Sequence, residues 1–214
     1  MPAFEMILSL GRRIFAGIGV SLVLLAAAGP ALGQKVVDPT FRLSSRVEAV
    51  EGMGVRQRAF VACGTNEFCV LLPRGYNGTL EGAQSLVLSG PDNLTFVSIA
   101  RVAVDSVAGK ELDTGKCLAA LMADYPGATI LAEMTLGAGN RVGPAFDLVW
   151  VAPTKMVCRI RVAYVPGPVG VLRFTLSTTA ERFPSVRFDL NSVMSTLVAG
   201  PKGGLEVPRL SNLF

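Results

Sequence analysis

Between Ala128 and Ser177 the chain lays down four strand-like runs in close succession: Ala128–Thr135, Ala145–Val151, Met156–Val165 and Val171–Ser177. The breaks between them are short and rich in turn residues, namely Gly137-Ala138-Gly139-Asn140, Ala152-Pro153-Thr154 and Pro166-Gly167-Pro168-Val169-Gly170. A parallel crossover needs a dozen or more residues, so connections this short require antiparallel neighbours. An antiparallel meander is therefore the frame into which the rest of the chain must fit. Two earlier pairs of runs extend it. Ala59–Cys63 and Phe68–Leu72 flank Gly64-Thr65-Asn66-Glu67, and Gln84–Leu88 and Leu94–Ile99 flank Gly90-Pro91-Asp92-Asn93. Both intervening segments have turn chemistry.

Two stretches carry helical spacing instead. In Asp113–Asp124, Asp113 and Thr114 are candidate N-caps, and Leu118, Leu121, Met122 and Tyr125 recur at helical intervals before Pro126-Gly127 stops the run. The second, Pro184–Val198, places Val186, Leu190, Val193, Met194 and Leu197 on one face. The fold class expected is α+β, an antiparallel meander flanked by helices. Residues 58–198 form its single domain, residues 34–57 a lead-in with Arg46–Glu51 as a candidate short helix, and residues 199–214 a flexible Gly- and Pro-containing tail.

The first 33 residues have the order of an export signal. Arg12 and Arg13 precede an uncharged run from Ile14 to Ala28, Gly29-Pro30 breaks it, and Ala31-Leu32-Gly33 places small residues for cleavage between Gly33 and Gln34. The run is short of the roughly 20 residues of a spanning helix, so membrane contact is expected only through this segment if it stays uncleaved. Gly11-Arg12-Arg13-Ile14-Phe15 partly matches a twin-arginine signal, a route that carries folded proteins. The chain is thus expected to be periplasmic or secreted.

Histidine is absent from all 214 residues. That removes Ser-His-Asp and Cys-His catalysis, HExxH zinc sites and imidazole switches. A net charge of +4 without basic-aromatic motifs gives no reason to expect nucleic acid. The four cysteines show no CxxC spacing, which argues against a zinc site or a redox motif. An even count in an exported chain reads as two disulfides, and four cysteines allow three pairings. The local sequence favours Cys63–Cys69 across the first hairpin. That leaves Cys117–Cys158 as a bridge from the helix stripe to the core side of a strand.

Alternation places Arg159 and Arg161 opposite Cys158, Ile160 and Val162, and Asp147 opposite Phe146, Leu148 and Trp150. Matching apolar face to apolar face brings Asp147, Arg159, Arg161 and Arg173 together on one side of the sheet. The cluster reads either as a salt-bridge lattice or as a patch for an anionic partner carried by Arg159, Arg161 and Arg173.

With this layout the chain resembles the PsbP-like α/β/α sandwich family over residues 58–198. The resemblance rests on the corner Pro73-Arg74-Gly75-Tyr76, on the helix packed behind a strand meander, and on the turn Ser177-Thr178-Thr179-Ala180-Glu181 before a closing amphipathic helix. It implies a non-catalytic adaptor or envelope protein that docks onto another protein, with no cofactor and no defined active site. Two other readings stand beside it. One is a carrier of a small apolar ligand. The other is a histidine-free enzyme, using thiol redox chemistry or paired carboxylates among Asp105, Glu111, Asp113 and Asp124. The exported protein should begin at Gln34, and an intact mass retaining residues 1–33 would refute cleavage.

Overall fold

The computed structural model describes residues 40–50, 52–103 and 112–205. The signal with its Gly33/Gln34 site, Asp105, Glu111 and the end of the tail from Glu206 lie outside the described residues. Six strands precede the meander: β1 (Phe41–Val50), β2 (Gly54–Cys63), β3 (Asn66–Leu71), β4 (Asn77–Leu80), β5 (Ser85–Ser89) and β6 (Phe96–Val102). The meander itself is β7 (Thr129–Ala138), β8 (Arg141–Val151), β9 (Val157–Gly167) and β10 (Gly170–Thr179), and β11 (Val198–Pro201) closes the series. The helices are α1 (Thr114–Asp124) and α2 (Phe183–Ser195).

The strands form a seven-stranded sheet of order β4-β5-β6-β10-β9-β8-β7 and a four-stranded sheet of order β1-β2-β3-β11. All pairings are antiparallel. The central strands of the larger sheet are buried on both sides. On one side Phe146, Leu148, Ile160, Val162 and Tyr164 are buried, and α1 brings Cys117 and Leu121 to that side. On the other, Ala163, Val165, Leu172, Phe174 and Leu176 share a core with Phe41, Val61, Phe68 and Val70 of the smaller sheet and with Leu190, Val193 and Met194 of α2. The expected sandwich is therefore sheet-dominated, because the layer expected to be helical also contains a second sheet.

Three expected boundaries change. The lead-in contains all of β1 and the start of β2, and Phe41 is buried in the core. Its polar composition reflects an edge strand whose outward residues Arg42, Ser44 and Arg46 meet solvent, so Arg46–Val50, expected within a short helix, is strand; Glu51 lies outside the described residues. The closing helix stops at Ser195, and Val198–Pro201 pairs with Asn66–Cys69, so the tail begins as a sheet edge. Residues 77–80, in a segment rich in loop residues, pair with β5. The Pro73–Tyr76 corner is tied down at two points. Gly75, at φ +81°, lies against Pro91, and the Tyr76 hydroxyl donates to Asp189 Oδ2 of α2 at 2.6 Å. Burial, followed by that carboxylate, pushes the Tyr76 phenol well above its ordinary range.

No disulfide joins the four buried cysteines, contrary to the expected Cys63–Cys69 and Cys117–Cys158 bridges. The β2–β3 register explains the first miss. Cys63 pairs with Asn66 while Cys69 pairs with Phe60, three positions further along β2. An odd offset puts the two thiols on opposite faces of the sheet: Cys63 in the core beside Phe41, Cys69 on the side of Arg58. The second miss is one of placement along α1. Cys117 lies in its first turn, whereas the Cys158 end of the strands packs beyond its last turn, where Tyr125 meets Trp150. Eight residues of helix separate those points by about 12 Å, beyond any disulfide. Full denaturation without reductant should expose four alkylatable thiols, and linked peptides in a non-reducing digest would contradict this arrangement.

Candidate functional site

The β8–β9 register sets Asp147 directly across from Arg161. Arg161 Nε donates to Asp147 Oδ1 at 2.7 Å and Nη2 to Oδ2 at 2.8 Å, a buried two-pronged pair. Arg159 lies on the same face. Its guanidinium sits 4.7 Å from the Phe183 ring centroid and that of Arg161 5.4 Å, a cation–π stack at the start of α2. The structure thus brings together three of the four residues expected to cluster.

Arg173 is not among them. Phe174 pairs with Ala163 and Leu176 with Arg161, so Leu172, Phe174 and Leu176 share the arginine face and Arg173 points the other way, across from Tyr164. There it is buried and ion-paired with Asp124 of α1. The expected three-arginine patch does not assemble. Apolar matching fails as a guide because both faces of β9 are buried, and the face bearing Arg161 belongs to the main core. Around Arg173, burial pushes the Tyr164 phenol up to about 12, with the guanidinium opposing the shift.

Of the four candidate carboxylates, the two among the described residues are engaged elsewhere. Asp113 caps α1, accepting from the Lys116 N–H at 3.0 Å, and Asp124 holds Arg173. Burial, with the Asp113 charge adding to it, pushes the Cys117 thiol up to about 11. Burial also raises Cys69 and Cys158, with nearby Arg58 offsetting part of the effect at Cys69. Thiols held in this state are poor nucleophiles at neutral pH.

Two surface features went unread in the sequence. The first is the outer half of the β1–β2 hairpin. Of β2, strand β3 pairs with Arg58–Cys63, so among the described strands the β2 residues before Arg58 pair with β1 alone. The face carrying Phe41, Leu43, Val61 and Cys63 into the core continues outward past Ser45 and Gln57 to Val47, Ala49 and Val55. Val47 and Val55 are each 68% exposed, and Met53 at the turn is 39% exposed.

The second is a cleft of about 350 Å³ where the β7–β8 turn meets the end of α2 and the start of β11. Gly139-Asn140 makes that turn, with Gly139 at φ +57°. A Cβ on Gly139 would lie 2.5 Å from the Leu197 carbonyl oxygen, so the turn can dock there only as glycine, and its N–H bonds Met194 O at 3.1 Å. Arg58 from β2 and Arg141 from β8 line the cleft together with Asn140, Leu197 and Val198. Arg58 is 3% exposed and gives both Nε and Nη2 to Glu48 Oε1, at 2.9 and 2.6 Å. No periodicity marks this site, since its members come from five separate elements and the turns between them.

The sequence matches no protein-family profile, and no curated protein aligns with it. Among solved structures the chain is similar to the cyanobacterial PsbP (CyanoP) of Synechocystis, at 14% identity and a TM-score of 0.46, covering 82% of this chain and 99% of that one. It is similar to a Pseudomonas aeruginosa protein described as a putative regulator, at 15% identity and a TM-score of 0.42, covering 74% and 99%. It is also similar to LpqN of Mycobacterium tuberculosis, described as involved in cell envelope biogenesis, at 10% identity and a TM-score of 0.43, covering 74% and 92%. All three TM-scores lie below 0.5, so the architecture rests on this chain's own strand pairing.

Replacing Asp147 by Ala would leave Arg161 buried without its counter-charge. The expected loss is about 3–5 kcal/mol in urea unfolding. A loss under about 1 kcal/mol, the range of exposed pairs, would show the pair to be solvated instead.

Proposed function

We propose that this is an exported, non-catalytic accessory protein of the cell envelope, built on a PsbP-like sandwich, that docks onto a partner protein through its projecting β1–β2 hairpin. One observation carries the reading. The hairpin's inward face is a core face over Phe41, Leu43 and Val61, and beyond Ser45 and Gln57 it carries exposed Val47, Ala49 and Val55. A cluster of apolar side chains left in water at the end of a projecting hairpin favours burial against another protein. Glu48 joined to Arg58 braces the opposite face of the hairpin, so the valines are presented on a supported arm.

The engaged carboxylates and raised thiols support a non-catalytic role.

A photo-crosslinking residue at Val47 should give a discrete adduct in cells, and the same residue at exposed Phe188 of α2 should not give that adduct. Val55→Lys should abolish the Val47 adduct while leaving the thermal unfolding midpoint nearly unchanged, because the position is exposed. Identical adduct patterns from both positions would refute docking through the hairpin.

A further inference from the structure

We infer that the cleft between the β7–β8 turn and β11 binds a small organic carboxylate with an apolar body. At about 350 Å³ it lies at the small end of the roughly 300–1,000 Å³ typical of ligand pockets. Its lining divides by chemistry. Ala138, Leu197, Val198 and Ala199 supply aliphatic surface, while Arg58, Arg141 and Asn140 supply hydrogen-bond donors.

The two arginines are not neutralised alike. Arg58 is paired with Glu48 through two of its nitrogens, but its Nη1 finds only the Cys69 sulfur, at 4.0 Å. A guanidinium carries five N–H donors, so this buried side chain retains donors without a strong acceptor. Arg141 has no salt bridge to any described residue. Its Nη1 would lie 2.5 Å from a Cβ on Gly167, so the side chain runs close over the Gly167 backbone. The cleft therefore has a positive excess with unused planar donors beside an aliphatic wall. That combination matches a carboxylate head on a short hydrocarbon body, since guanidinium and carboxylate meet in a planar, two-pronged geometry. A neutral apolar ligand would leave the donors unmatched, and a bare inorganic anion would leave the aliphatic wall unused.

The test is titration of the isotope-labelled exported protein with hexanoate, hexan-1-ol and inorganic phosphate, following the amide resonances of Gly139, Asn140 and Leu197. Hexanoate should shift these resonances saturably. Arg141→Gln should weaken binding roughly tenfold, the size expected for losing a charged hydrogen bond. Ser195→Trp, at an exposed position on the cleft's rim, should block hexanoate and keep the inference testable even if the Arg141 variant fails to fold. The inference is overturned if hexanoate gives no saturable shift, or if hexan-1-ol binds as tightly. It is equally overturned if phosphate displaces hexanoate at equal concentration, or if a folded Arg141→Gln protein binds it unchanged.

Discussion

The pairing of β9 with both of its neighbours is the constraint on which the rest of the molecule depends. β9 lies between β8 and β10 and is buried on both faces over most of its length, so the parity of each residue decides which half of the protein it serves. Even-numbered Ile160, Val162 and Tyr164 go to the side of α1. Odd-numbered Arg159, Arg161, Ala163 and Val165 go to the side of α2 and the smaller sheet. A one-residue slip would exchange the two sets and leave Arg161 facing away from Asp147. The buried ion pair therefore acts as a register mark. Its net energy matters less than the penalty it would impose on the wrong alignment.

Close backbone contacts fix what side-chain parity does not. Gly143 approaches β9 so tightly that a Cβ there would lie 1.7 Å from the Tyr164 carbonyl oxygen. Gly139 meets the end of α2 in the same way, and Gly167 lies under Arg141. These glycines hold the β7–β8 hairpin against both α2 and β9, and the cleft is the space left beside that junction. The hairpin β1–β2 has no such cover over its outer half. One end of the molecule is thus closely packed around a small polar-and-apolar recess, while another carries core-like surface into water.

Much of the framework was legible in local sequence. Short turns between apolar runs showed the antiparallel meander, Asp113 marked the start of α1, and the facing of Asp147 and Arg161 followed from alternation within two strands. The less legible parts have identifiable causes. Strand β1 is polar because it is a solvated edge, so its Phe41 and Leu43 look isolated in the sequence. Arg173 was misplaced because apolar matching assumes one wet face, and this sheet has none at its centre. The cysteines misled because an exported chain with an even count invites bridges, while a hairpin offset of three residues sends Cys63 and Cys69 to opposite faces.

The sequence by itself determined the strand meander, the two earlier hairpins, both helices, the antiparallel order of those strands and the absence of imidazole chemistry, since all depend on residue type and on spacing along the chain. Only the tertiary structure decided that the four thiols stay unbridged, which carboxylate holds Arg173, and that Arg58, Arg141 and Asn140 line one recess. Those outcomes turn on the register between strands distant in sequence and on where a helix end lands on a sheet. Such relations are set by packing many side chains at once, and no local window of sequence contains them.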